Sequence, residues 1–161
     1  DNNSLLSYGV VLDNLTSSDT TTSLQVIRIG PGNDPEESNY RYVYRSRAKK
    51  VFVTFNRPVT FGQDGSYYSG SGKESCDNFD VQYYRTSDES QCYLWNSAPS
   101  TYGDSVEVDG TIYAQTWVFT MSNYPDSYNQ HRIRIKSSSS LVDQSGNSLD
   151  EDFVTGPLYI N

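Results

Sequence analysis

The sequence predicts an all-β domain built as a two-layer sandwich, and three observations predict it. Apolar and polar residues alternate with a period of two in short segments, as in Val51, Val53 and Phe55 or in Ile133 and Ile135. Those segments are separated at close intervals by Gly, Pro, Asn, Asp and Ser, the residues that make turns. No segment repeats its apolar residues at the 3.6-residue spacing of a helix over more than a turn. A sandwich accounts for one apolar and one polar face per strand, because each sheet covers the other.

Composition agrees. Only 35% of the 161 residues are hydrophobic, but 14 Tyr, 6 Phe and 2 Trp make much of that surface aromatic, which suits half-buried strands. The length is enough for one domain to bury a core without metal clips. A net charge of -8 argues against nucleic acid or anionic lipid, which need a Lys/Arg surplus. No apolar run approaches the roughly 18 residues of a membrane-spanning helix. The chain opens on Asp1 without an apolar signal core and reads as a processed or excised piece.

Residues 1–23 hold Leu5-Leu6, Val10-Val11-Leu12 and a polar run from Thr16 to Ser23; they read as an N-terminal extension or edge strand before a domain spanning 24–161. Asn2-Asn3-Ser4 and Asn14-Leu15-Thr16 are glycosylation sequons. Leu24, Val26 and Arg28 alternate with Gln25, Ile27 and Ile29 until Gly30-Pro31 breaks the strand. Tyr40, Tyr42 and Tyr44 face away from Arg41, Val43 and Arg45. Lys50 to Phe61 is the strongest strand, interrupted at Asn56-Arg57-Pro58 because proline cannot donate to a ladder.

Gly62 to Lys73 turns to Gly, Ser, Asp and Tyr and predicts a long exposed loop. Strands follow at Phe79 to Tyr83 and around Cys92 to Trp95. Asp109-Gly110 predicts a hairpin turn, after which Tyr113, Gln115, Trp117, Phe119 and Met121 share a face. His131, Ile133 and Ile135 face inward, opposite Arg132, Arg134 and Lys136. The chain ends as strand, turn and strand: Gly146 permits a positive φ, Asp143 and Asn147 can bond neighbouring amides, and Leu141 and Leu149 anchor the two sides.

Two of these stretches carry a resemblance. Ala48-Lys49-Lys50-Val51-Phe52-Val53-Thr54-Phe55-Asn56-Arg57-Pro58-Val59 is similar to the alternating apolar run ending in Phe-Ser-Glu-Pro-Val that opens many bacterial immunoglobulin-like domains of the S-layer-protein and adhesin type, with Asn56-Arg57 in place of Ser-Glu. Leu141 to Leu149 resembles the same family's Leu-x-Asp-x-x-Gly-Asn-x-Leu hairpin. The resemblance covers residues 24–161. It implies an immunoglobulin-like β-sandwich, here with an enlarged middle loop between Gly62 and Ser100 and an N-terminal extension without counterpart. It further implies an extracellular or cell-surface location and neighbouring domains of the same protein as partners. It implies no ligand, since fold does not carry function.

Cys76 and Cys92 are the only cysteines. They predict a disulfide worth about 3 kcal/mol in the chain-entropy picture, and so an oxidising compartment; the alternative is two unrelated thiols. Asp143, Asn147, Asp150, Glu151 and Asp152 gather hard oxygen ligands that suit calcium, as do Asp77, Asn78 and Asp80, against the alternative of solvated loop carboxylates. No other cofactor is called for. Tyr67, Tyr68, Tyr83, Tyr84, Tyr93, Trp95 and Tyr102 could stack on sugar rings as a glycan platform, or could serve edge packing and loop order. Arg132, Arg134 and Lys136 read as a solvated face paired with acidic neighbours, with a sialic-acid or polyanion site as the alternative. His131, the lone histidine, reads as structural, and no phosphate cradle or nucleophile elbow is present. A non-catalytic spacer or adhesion module and a carbohydrate-binding domain are therefore the two expectations.

Overall fold

The computed structural model describes residues 22–35, 44–45, 48–61 and 72–160. The sequons, most of the Tyr40–Arg45 alternation, Tyr67 and Tyr68 lie outside the described residues. In chain order the strands are β1 (Val26–Pro31), β2 (Tyr44–Arg45), β3 (Lys50–Phe61), β4 (Lys73–Ser75), β5 (Val81–Arg85), β6 (Asp88–Tyr93), β7 (Ser100–Thr101), β8 (Ser105–Val108), β9 (Thr111–Thr120), β10 (Asn129–Ile135), β11 (Leu141–Asp143), β12 (Phe153–Val154) and β13 (Leu158–Ile160). A short 3-10 turn, Cys76–Asn78, follows β4.

The strands form two packed sheets, a β-sandwich. The first runs β1-β3-β9-β7, with β8 also pairing β9 and β11 pairing β3. The second runs β2-β13-β10-β5-β6-β4, with β12 beside β10. All the pairings are antiparallel except β13 with β2. Beyond residue 71 the enlarged middle is mostly strand: β4, β5 and β6 build one side of the second sheet.

Between the sheets, Val51, Val53, Phe55, Trp117, Phe119, Ile133 and Ile135 are all buried in one core. Phe61 sits at its aromatic centre, edge-on to Trp117 at 5.4 Å and to Phe119 at 5.2 Å. Trp95 joins the layers. Its backbone bridges to Met121 beyond β9, its ring lies 5.3 Å from Phe119, and its indole N–H donates to the Val81 carbonyl of the second sheet at 3.0 Å.

β1 departs from the predicted parity. The register shifts between Val26 and Arg28, so Val26 opposes Phe55 and Arg28 opposes Thr54. This bulge at Ile27 lets Val26 and Ile29 both enter the core, although a strict period of two puts them on opposite faces. The strand also continues through Gly30-Pro31, where a break is predicted; Pro31 opposes Val51. The interruption predicted at Asn56-Arg57-Pro58 is a second bulge, with the β3–β9 register shifting between Thr54 and Val59. Side chains replace the lost ladder bonds. Gln115 donates to the Phe55 carbonyl at 2.9 Å, and the Trp117 indole donates to the Val59 carbonyl at 3.1 Å.

Asp109 and Gly110 both have positive φ, 51° and 83°, which makes the two-residue β8–β9 connection the hairpin that the Asp-Gly pair predicts. Cys76 and Cys92 form a disulfide with Cα atoms 4.9 Å apart, both buried. It ties the 3-10 turn to β6.

Candidate functional site

Four of the predicted glycan-platform residues are core residues. Tyr83, Tyr84, Tyr93 and Trp95 are buried, so none offers a free ring face to a sugar. For Tyr83 and Tyr84 the reason is that β5 is covered on both sides. Tyr83 turns toward the sandwich interior, edge-on to Tyr93 at 5.7 Å, while the outward Tyr84 lies under the Arg134 guanidinium, 4.6 Å from its ring centroid. Tyr102 alone among the described candidates is exposed, at 49%, edge-on to Phe52.

The Arg132, Arg134 and Lys136 face is internally paired. Arg134 donates to Gln82 at 2.7 Å, Tyr84 at 3.1 Å and Glu89 at 3.4 Å; Arg132 donates to the Thr155 carbonyl at 2.7 Å; Lys136 meets Asp152 at 3.3 Å. These bonds give the basic face a structural role.

The oxygen-rich C-terminal hairpin does not present its carboxylates together. Asp143 is only 2% exposed and pairs with Arg57, itself 3% exposed, through Nε–H donating to Oδ2 at 2.8 Å. Asp143 Oδ1 accepts the Ser145 and Asn147 amides, each at 2.9 Å. Burial works to raise the Asp143 carboxyl, but the Asn147 amide, the Arg57 guanidinium and the Ser145 amide outweigh it and hold it below the usual carboxylate range. Asp152 accepts from the Ser137 amide at 2.8 Å, while Asp150 and Glu151 are exposed. Asp77 and Asn78 are exposed on the 3-10 turn, and Asp80 accepts from the Ser140 hydroxyl. Among the described residues no three His, Cys, Asp or Glu side chains converge as a metal site.

His131 is fully buried in a closed hydrogen-bond chain. Its Nδ1 lies 3.0 Å from the Asn129 carbonyl, which can only accept, so Nδ1 carries the proton and Nε2 accepts from the Tyr93 hydroxyl at 3.0 Å. That hydroxyl accepts the Asp126 amide at 3.1 Å. Every group is used once, with a neutral imidazole. Burial depresses the His131 pKa to about 4 and pushes the Tyr93 hydroxyl up to about 12.

The unusual surface feature lies elsewhere, in the connection from β9 to β10. Tyr128 has φ +59° and is 73% exposed. A bulky residue in the left-handed region costs roughly 1–2 kcal/mol. Sequence reasoning passed over it because position in a short connection carries no sign of backbone strain; Arg57 was passed over because the bulge hides its parity. The described surface also carries open grooves. One, of about 560 Å³, is lined by Phe61, Trp117, Pro99 and Ile112; another, of about 580 Å³, by Arg57, Asn147 and Asp150.

No family model matches the chain, and neither a curated protein nor a solved structure does.

Proposed function

We propose that this chain is a non-catalytic immunoglobulin-like module of a bacterial surface protein, an adhesin, S-layer or fibre component, acting as a structural spacer or in adhesion, with neighbouring domains of that protein as partners. One observation carries the reading: the two stretches behind the family resemblance meet. Val59 opposes Asp143 across the β3–β11 pairing, and Arg57 of the first stretch is ion-paired to Asp143 of the second. The Cys76–Cys92 disulfide supports an oxidising, extracellular setting. The burial of the lone histidine as a neutral link supports a role without catalysis. A carbohydrate-binding domain built on the predicted Tyr and Trp platform is the weaker reading, since burial withdraws Tyr83, Tyr84, Tyr93 and Trp95.

A spacer bears load, so the test is mechanical. Pulled as one unit of a polyprotein, the domain is expected to unfold in a single sharp peak. Reduction of Cys76–Cys92 is expected to lengthen each unfolding step by roughly 50 Å, the reach of the chain it locks, at about 3.3–3.6 Å per residue. Gradual extension without a resolved peak contradicts the spacer.

A further inference from the structure

We propose that the β9–β10 connection, residues 121–128, is a glycan-binding tip in which Tyr128 stacks on the apolar face of a pyranose ring. The starting point is a conflict within one residue. Tyr128 occupies the left-handed region that disfavours a bulky side chain, and it is the most exposed of the large hydrophobic residues described. Among the described residues no ring or cation covers it. Folding gains nothing from this arrangement: a glycine would relieve the backbone, and a polar residue would suit the exposure. Backbone strain held at an exposed aromatic side chain marks a site kept for recognition.

The connection that carries Tyr128 is rigid rather than slack. Pro125 is buried, and the Asp126 amide donates to the buried Tyr93 hydroxyl at 3.1 Å. Asp126 Oδ2 accepts from Lys73 at 3.1 Å and from Arg85 at 3.3 Å. Arg85 also donates to Asn129 Oδ1 at 2.9 Å, and Asn129 Nδ2 donates to the Ser127 carbonyl at 2.7 Å. Both sides of Tyr128 are thus pinned to the body of the second sheet. A pre-ordered backbone leaves only the side-chain torsions of Tyr128 to be fixed on binding, which weak ligands require.

The surroundings select the ligand class. Lys73, Arg85 and Asp126 keep between about a third and a half of their side-chain surface in water, at 32%, 33% and 45%. Asp126 lies two residues before Tyr128 and is bonded to Lys73 and Arg85, and Arg85 is also bonded to Asn129 immediately after Tyr128, so a carboxylate acceptor and two cationic donors attach to the residues that flank the ring. That combination suits a sugar, whose C–H face packs on one ring while vicinal hydroxyls both donate and accept. A protein partner needs a broader apolar centre than one exposed tyrosine flanked by charged and polar residues. The other tyrosine of the connection, Tyr124, has the Lys49 ammonium 5.0 Å from its ring centroid, so Tyr128 is the open face.

The proposal goes beyond the spacer reading and does not depend on it. The experiment applies the full chain to an array of oligosaccharides ending in gluco-, galacto-, manno- and N-acetylglucosaminyl pyranosides, alongside Tyr128→Phe, Tyr128→Ala and Tyr128→Gly. Wild type and Tyr128→Phe are expected to retain at least one glycan. The Ala and Gly variants are expected to lose that signal by about three- to tenfold, as for one stacked ring. Tyr128→Gly is expected also to melt about 2 °C or more above wild type, because the strain is released. A silent array, or unchanged retention in Tyr128→Ala, overturns the site while leaving the spacer standing. A lower melting temperature in Tyr128→Gly overturns the argument from strain, and with it the proposal.

Discussion

Replacing Asp143 by Ala is expected to destabilise the fold by about 3–5 kcal/mol, the cost of stranding a buried partner charge. The change leaves the Arg57 guanidinium only 3% exposed and without its carboxylate. It also removes the acceptor of the Ser145 and Asn147 amides, so the turn after β11 loses its internal support. Asp143→Asn separates the two contributions, because an amide oxygen can still accept from both N–H groups while the charge is gone; it is expected to cost less than Ala. Replacing both partners with apolar residues, Arg57→Met with Asp143→Leu, is expected to cost less than the sum of the single changes, since no unpaired charge remains buried. Urea unfolding of these variants, with Arg57→Met and Asp143→Leu measured singly as well, reads all of this. A loss below about 1 kcal/mol in Asp143→Ala would show that the pair does not lock β3 to the C-terminal hairpin.

Acidification should destabilise the protein through His131. Its folded pKa is depressed to about 4, against an ordinary 6.5, because burial disfavours the imidazolium. Between those values the unfolded chain binds a proton that the folded chain refuses, so stability falls as pH drops. The contribution is complete above about pH 6.5 and is lost progressively toward pH 4, amounting to roughly 3 kcal/mol over a shift of that size. The groups that face the ring fit this sense. Tyr83 and Tyr93 pack on it from β5 and β6, Asn129 accepts its Nδ1 proton, and the charges of Arg85 and Lys73 oppose protonation more distantly while Asp126 favours it. Asp126, Asp143 and Asp152 have folded pKa values below the carboxylate range, so their contributions stay intact above pH 4 and are lost only in stronger acid. Because His131 is the sole histidine, His131→Gln is expected to be weaker at pH 7 yet nearly flat in stability from pH 7 to 5. An equal slope in wild type and variant over that range would remove the buried imidazole from the account.

Much of the sandwich was legible in the sequence, for identifiable reasons. The seven residues that glue the layers sit in runs where apolar side chains alternate without interruption, so period and burial coincide. The Asp109-Gly110 hairpin was legible because both residues adopt positive φ readily. Parity failed at the bulge in β1, where an extra residue lets Val26 and Ile29 share a face. The candidate site was far less legible. Tyr83 and Tyr84 look like a surface pair because adjacent strand residues face opposite ways, and one of them is then expected in water. The cover over Tyr84 comes from Arg134 on the neighbouring strand β10, a contact that no local pattern encodes. Asp143 looked like a metal ligand for a related reason: its counter-ion Arg57 lies 86 residues away in sequence.

Two sheets that share one core should behave as one cooperative body, with the buried polar chains serving its packing. Amide hydrogen exchange at neutral pH tests this most directly. The slowest amides of β3 and β9 in the first sheet, and of β5 and β10 in the second, are expected to exchange with one common free energy equal to that of global unfolding, and to respond together to urea. Exchange of β5 and β10 through a separate opening, several kcal/mol below the global value and insensitive to urea, would contradict it.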